Sequence, residues 1–548
     1  MRIHVAGSVP WPYGPPGNLE APASAGSFAG FIDRLARFSQ AGILDMGARV
    51  LWYPWQKRIQ PDWQEVGFAV TEVFGPDVIG LAMMHCPATG LDAEELDFRH
   101  LCWELFSCGS FADPESVEAA NERARCVARW SELLASTPFA RLDATAVAQQ
   151  VRGLWMLGRL LTTDGLPGLS VDDDVLRVVL LHEALERQPG PKLQDAYDRF
   201  RNAYFRNDVV RLLQHGFGLV AQVTSITGGQ ALCPGRFDVH AGDEHQLPVV
   251  DFTQFGHLAC TPLSRFREMG ALLAQMPEHE RKMNPGSRPL ALRPGVLLDD
   301  RTDMRAVFYP SPRRLVRGLR RVLLDDFVEA LAEQPGFEHA SSLLGQAVHA
   351  HLSEVIDGYA ISIDDTDCPV QGQKPDAVWC GERFGVVVEA KARLTPRTDP
   401  ECVSPDSLLV AWSRAWEAVE QADAFLRDPR TGPWLLQKMR SVPDVWVLIL
   451  LVDESGVAER TAFRHVTSRW QLLSRTKLAG VGLYSFGALE AVLRTQSPDS
   501  VGRMVERAWM EAGVDALEQP PEEPRLPAAS TRPAYLERAF NRLLAASE

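Results

Sequence analysis

The feature that most constrains the fold of this chain is the apolar run at 445–452, which contains no polar residue. A strand with apolar side chains on both faces is typical of the centre of a sheet that helices cover on both sides. Strand-like segments near 358–364, 376–380, 384–391 and 480–485 surround it, with helical patterns at 338–356, 406–427 and 487–495. We therefore predict an α/β domain with an αβββαβ core, a mixed sheet flanked by helices.

The chain has 548 residues, which implies two or three domains. Residues 25–222 are mostly helical in pattern, and residues 223–310 are irregular, with short strand-like pieces and many Gly and Pro. The helical patterns there are 94–108, 115–136, 144–163, 170–188 and 192–214. We predict a mainly helical α+β region over 1–310.

A second unit begins at Ser311-Pro312, which has the N-cap and first-turn residues of a helix. We predict that the α/β domain spans 311–515 and that a Pro-rich linker with a short C-terminal helix, at about 533–545, fills 516–548. No ATP-binding Gly-x-x-x-x-Gly-Lys-Ser/Thr loop occurs, so we expect no ATP-driven motor.

Composition and charge restrict the partners and the cellular compartment that we expect for this chain. The net charge of −15 argues against a protein that coats nucleic acid without specificity, although a local basic groove can act within an acidic whole. The nine cysteines form no CxxC pair, and no apolar run reaches the length of a membrane span or of a signal-peptide core. We expect a cytoplasmic protein with reduced cysteines and no membrane partner.

A β-hairpin brings three charged residues together. If its turn is centred on Glu382-Arg383, antiparallel pairing places Asp376 opposite Glu389. Glu389 and Lys391 share one face of their strand because side chains alternate. Two facing carboxylates repel each other unless a cation lies between them, so this pattern predicts a divalent metal site.

These residues resemble the PD-(D/E)XK nuclease superfamily, with Pro375-Asp376 and Glu389-Ala390-Lys391 matching its motif. Within it, the RecB-like branch carries a Gly-x-x-x-His element, which Gly345 and His349 match. Its Gln-x-x-x-Tyr element is matched by Gln421, with Phe425 in place of the tyrosine. The resemblance covers about 337–495.

The resemblance implies a metal-dependent nuclease, with DNA a better candidate substrate than RNA. It assigns Asp376, Glu389 and His349 to Mg²⁺ or Mn²⁺, with Lys391 positioning the attacking water and Gln421 also catalytic. It implies no iron–sulfur cluster, because Cys368, Cys380 and Cys402 lack the required arrangement.

Basic residues near the motif are candidate contacts to the phosphate backbone. Arg313, Arg317 and Arg320, with Arg314 and Arg321 beside them, give one predicted helix a basic flank, whose alternative role is a solvated face or pairing with acids. Arg393 and Arg397 extend the positive charge beyond the motif strand. A large module fused to a nuclease also suggests a protein partner or trigger, as in bacterial antiviral defence or DNA processing.

Other interpretations stay open. The hairpin trio could be a surface salt-bridge cluster, or the domain could be a catalytically silent adaptor that binds nucleic acid or a protein. A separate activity could lie in 1–310. His182-Glu183-Ala184-Leu185-Glu186 lacks the second histidine of a zinc protease and is expected to be structural. Asp238, His240, Asp243 and His245 form a polar cluster with a weaker claim to a metal.

Overall fold

A computed structural model describes the chain in segments. They are 28–57, 66–108, 117–148, 173–187, 236–240, 260–275, 293–298, 304–312, 340–357, 361–362, 368–370, 374–380, 384–391, 405–431, 433–434, 444–451, 476–495, 500–511 and 533–545, with some single residues between them. Of the predicted features, most of 192–214, most of 144–163, and the Arg-rich helix after 315 lie outside these residues.

The N-terminal half begins with a group of helices around one apolar helix. The helices are α1 (Phe28–Leu35), α2 (Gln40–Lys57), α3 (Val66–His85), α4 (Glu95–Cys108) and α5 (Val117–Ala135). Helix α3 is apolar on all sides and contacts α1, α2 and α4, because a helix without a polar face must be covered all round. The predicted helices at 94–108 and 115–136 are therefore present, with ends shifted by one or two residues.

A four-stranded mixed sheet follows in the irregular part of the sequence. Its strands are β1 (Arg236–His240), β2 (Cys260–Pro262), β3 (Gly295–Leu297) and β4 (Met304–Phe308), in the order β1-β4-β3-β2. Helix α7 (Leu263–Gln275) begins directly after β2 and packs against α3. The sequence predicted the short strands but not this helix.

The start of the second unit is joined to the first. The Trp52 indole N–H donates to the Tyr309 carbonyl at 2.9 Å, and Arg314 makes a buried ion pair with Asp77 at 2.9 Å. Ser311 acts as the predicted N-cap, since its Oγ accepts from the Arg314 N–H at 3.3 Å. Arg314 therefore pairs with an internal acid and does not face solvent.

The C-terminal half contains a five-stranded mixed sheet. Its strands are β5 (Ile361–Ser362), β6 (Ala377–Cys380), β7 (Phe384–Lys391), β8 (Asp444–Leu451) and β9 (Gly480–Ser485), side by side in that order. The first two pairings are antiparallel and the last two are parallel. The apolar run that predicted a central strand forms β8, an interior strand that is fourth in this order, with its residues from 446 onward buried.

Helices flank this sheet. They are α6 (Asp173–Glu186), α8 (Ala340–Ile356), α9 (Pro405–Arg427), α10 (Phe486–Thr495), α11 (Ser500–Glu511) and α12 (Ala534–Ala545). Helices α8, α9 and α11 contact its strands, and α6 packs against α8 and α12. The prediction of a mixed sheet flanked by helices is confirmed at this level, and α11 is an additional helix.

Both sides of the predicted boundary at 310 contribute to shared cores. Phe139 meets the ring of Trp412 edge-on at 5.9 Å, and Trp130 stacks on Trp412 at 6.4 Å. The division at 310 stays a prediction, although helices from both sides of it pack together.

Among the described residues, no helix combines the length and apolar character that a membrane crossing requires.

Candidate active site

The site lies where the central strand β7 ends beside β6. The register pairs Ala377 with Val388 as the last pair at this end of the hairpin, and the predicted facing of Asp376 and Glu389 would lie one position beyond it. The Asp376 N–H donates to the Val388 carbonyl at 3.0 Å, which is one residue out of step with that register. The turn predicted at Glu382-Arg383 lies outside the described residues.

Asp376 is held from two sides. Its Oδ2 accepts from the Ala390 backbone N–H at 2.7 Å, and its Oδ1 lies 3.2 Å from Nδ1 of His349. His349 stands on α8, which contacts β7. The helix therefore brings the predicted histidine to the predicted aspartate, and both side chains are about one quarter exposed.

Glu389 is the most buried member of the group, with 1% of its surface exposed. Burial raises the pKa of its carboxyl from 4.5 to about 8; Lys391 lowers this pKa, Asp376 raises it and His349 lowers it. Its Oε1 is buried and has no hydrogen-bond partner among the described residues. Such an atom costs free energy unless a donor or a cation reaches it.

Lys391 supplies a positive charge beside the Glu389 carboxyl. Its Nζ lies 3.3 Å from Oε2 of Glu389, and its side chain is one third exposed. Alternation along β7 puts the two residues on one face, as the sequence predicted. The ammonium group is thus anchored to the buried acid while part of it reaches solvent.

Gln421 supports the entrance to β6. Its Nε2 donates to the Lys374 carbonyl at 2.7 Å, two residues before Asp376. One turn further along α9, Phe425 is buried and packs edge-on against Trp434 at 6.2 Å. The phenyl ring that replaces the family's tyrosine therefore belongs to the core.

Two other residues of α8, Gly345 of the predicted motif and Glu354 after it, lie away from the hairpin acids. Gly345 is exposed, and a Cβ added there would meet no atom of the described residues within 4 Å, so none of them approaches this glycine closely. Glu354 pairs with Arg538 of α12 at 3.1 Å and so lies in a helix contact. Only His349 of this motif contacts the hairpin acids.

As the side chains stand, they pair with one another. Within the described part of the chain, no group of three or more His, Cys, Asp or Glu residues is arranged to hold a metal ion. Asp376 pairs with His349, and Glu389 pairs with Lys391. The donor types suit a hard divalent cation, and the buried Oε1 of Glu389 is the atom that would gain most from one.

The remaining sequence candidates divide in two. Glu183 of the protease-like stretch is buried and pairs with Arg542 at 3.1 Å, in keeping with a structural role. Asp238 and His240 lie on β1. The other members of that cluster and the proposed phosphate contacts lie outside the described residues: Asp243, His245, Arg313, Arg317, Arg320, Arg393 and Arg397.

The sequence did not reveal the backbone groups of the site. The Ala390 N–H and the Lys374 carbonyl each bond a site side chain, yet every residue type carries such groups. Only the hairpin register could have indicated the first of them, because it sets Asp376 beside Ala390. Backbone partners of this kind fix a side chain without leaving a residue signature.

No protein-family model matches this sequence, no curated protein matches it, and no solved structure matches it. What the site can do therefore follows from its own residues and contacts.

Proposed function

We propose that this chain is a metal-dependent nuclease of the PD-(D/E)XK type, RecB-like branch, that hydrolyses phosphodiester bonds of DNA. One observation carries the proposal: within the described part of the chain, the carboxylate buried on the central strand has an oxygen without a hydrogen-bond partner, beside a second acid, a lysine and a histidine. A structural core has no use for this combination, because each buried charge costs free energy.

The acids and the histidine would hold Mg²⁺ or Mn²⁺. Asp376 and Glu389 offer carboxylate oxygens, and His349 offers a ring nitrogen beside Asp376. A divalent cation in such a site lowers the pKa of water and polarises a phosphoryl oxygen. Binding would replace the present pairing of Asp376 with His349.

The chain's own groups would prepare the substrate. Lys391 is anchored to Glu389 and one third exposed, so its ammonium group can orient a water or a phosphate oxygen. The Ala390 N–H fixes the Asp376 carboxylate, and Gln421 fixes the segment before it. These contacts limit the motion of the acids, which the in-line geometry of phosphoryl transfer requires.

Cleavage assays with matched variants test this proposal. The full chain is incubated with single- and double-stranded DNA and RNA in Mg²⁺, Mn²⁺ or EDTA, beside Asp376→Asn and Lys391→Ala. The control is Asp423→Asn, which removes an acid that pairs with Arg427 on α9. Metal-dependent cleavage should fall by at least about 100-fold in the site variants and stay unchanged in the control.

A second candidate is a silent nuclease-fold adaptor that binds nucleic acid or a partner protein. It is favoured by the mutual pairing of all four side chains, with no assembled three-ligand group among the described residues. Titration with Mn²⁺ distinguishes the two. An adaptor neither cleaves nor binds the metal, whereas a nuclease that awaits a protein trigger binds Mn²⁺ through Asp376 and Glu389.

A further inference from the structure

The C-terminal helix α12 lies against α6 and beside α8, the helix that carries His349. Its apolar stripe, Leu536, Ala539 and Leu543, is buried. In sequence, residues 512–532 separate α12 from α11. Helix α12 is thus attached to its neighbours through a buried apolar stripe and through the ion pairs described next.

Two arginines of α12 bind three acids of its neighbours. Arg538 lies 3.1 Å from Glu354 of α8 and 3.5 Å from Glu183 of α6. Arg542 lies 3.1 Å from Glu183 and 3.2 Å from Glu186. The arginine side chains are 43% and 37% exposed, and the acids range from Glu354 at 39% to Glu183 at 8%. Dissolved salt therefore screens the Arg538–Glu354 pair most and the pairs with Glu183 least.

Helix α6 is attached to the C-terminal half in a different way. Arg177 of α6 and Glu490 of α10 form a two-contact ion pair whose side chains are only 3% and 1% exposed. Salt reaches such a pair poorly, and separating it would leave a buried charge. High salt should therefore leave the α6–α10 ion pair intact and weaken the ion pairs of α12.

The weaker contact braces the helix of the candidate site. The Tyr535 ring of α12 meets His351 of α8 edge-on at 5.9 Å. Residues two apart on a helix point to nearly opposite sides, so α12 supports α8 on the side away from His349 and the hairpin. Loss of α12 would remove the Tyr535 ring from His351, which Phe486 of α10 also meets at 5.1 Å.

We propose that α12 is a salt-releasable latch that steadies α8, and with it His349, against the β6–β7 hairpin. Arg538 and Arg542 hold the latch, and Glu183, Glu186 and Glu354 receive it. The regulatory consequence rests on the proposed function, because releasing the latch would weaken the hold of His349 on Asp376. The latch itself does not depend on that function.

Hydrogen exchange on the full chain tests the latch without any assay of cleavage. Amide exchange is compared at about 0.1 M and about 1 M NaCl, where the Debye length falls to about 3 Å. Exchange over 535–545 should speed up about tenfold, and over 344–356 by a smaller factor, while 176–186 changes little. Arg538→Glu/Arg542→Glu should produce the same pattern at low salt.

Matched variants make the result specific. Arg427→Glu breaks an exposed pair within α9 and should leave α12 protected. Combining Arg538→Glu with Glu354→Arg should restore part of the protection that Arg538→Glu removes. The latch would be overturned if the amides of α12 stayed protected from exchange both in about 1 M NaCl and in Arg538→Glu/Arg542→Glu. It would also be overturned if α6 and α12 lost protection together.

The two proposals fail separately. If the chain is a nuclease, Arg538→Glu/Arg542→Glu should lower metal-dependent cleavage and raise the Mn²⁺ concentration needed for half-maximal rate. Arg427→Glu should change neither. Release of α12 in exchange with no cleavage by any protein would sustain the latch and count against the nuclease. Cleavage unchanged in a variant whose α12 is released would overturn the steadying of His349.

Discussion

At the scale of single residues, Glu389 makes the most specific prediction. Burial raises the pKa of its carboxyl to about 8 from 4.5, so the folded protein holds its proton more tightly than the unfolded chain does. This contribution to stability is complete below about pH 4.5 and is lost as pH rises toward about 8. Above that range the carboxylate is charged in both states.

Glu389→Gln should therefore remove a pH-dependent loss of stability. Without divalent ions, the variant should gain a few kcal/mol in unfolding free energy relative to the original protein between about pH 5 and about pH 9. Urea unfolding followed by tryptophan fluorescence measures this difference. An equal difference at both pH values would contradict a raised pKa.

Gln421 gives a second prediction at this scale. Gln421→Ala removes the donor to the Lys374 carbonyl, a half-buried hydrogen bond, and should lower the unfolding free energy by about 1 kcal/mol. Gln346→Ala changes an exposed glutamine on α8 and should alter it by less than about 0.5 kcal/mol. Equal effects in thermal unfolding would show that the hydrogen bond contributes nothing.

At the scale of elements, the buried pair between α6 and α10 can be measured directly. Arg177→Met leaves Glu490 charged and buried, which should cost about 3–5 kcal/mol. Arg177→Met/Glu490→Met should cost much less than the sum of the two single changes, because the charge and its partner leave together. Arg427→Met, which breaks an exposed pair, should cost less than about 1 kcal/mol.

The sequence predicted elements best where one local pattern decided the structure. Strand β7 has the predicted bounds, and β8 shows the burial that its apolar run indicates. Helix α11 was not predicted, although Val501, Met504 and Val505 form a buried stripe on it at helical spacing. The three-residue strands β2 and β3 are too short for any alternation to fix their parallel pairing.

The candidate site and the buried ion pairs show the same division between local and distant contacts. The closeness of Asp376 to the end of β7 followed from counting along a hairpin, which is a local rule. The partner of Arg177 lies 313 residues away, and that of Arg314 lies 237 residues away. No spacing rule reaches so far, because such contacts depend on how whole elements pack.

At the scale of the whole molecule, these distant contacts predict that α6 folds with the C-terminal half. A fragment of residues 311–548 loses Arg177 and the apolar side of α6, leaving Glu490 buried without its partner and α8 and α12 uncovered. A fragment of 165–548 restores α6, while both fragments equally lack the packing of α5 on α9. The longer fragment also restores β1–β4 and α7, so the comparison measures α6 together with these elements. The longer fragment should melt cooperatively in circular dichroism, and the shorter one should aggregate or melt without a transition. Equal melting of the two would place the boundary at 311 after all.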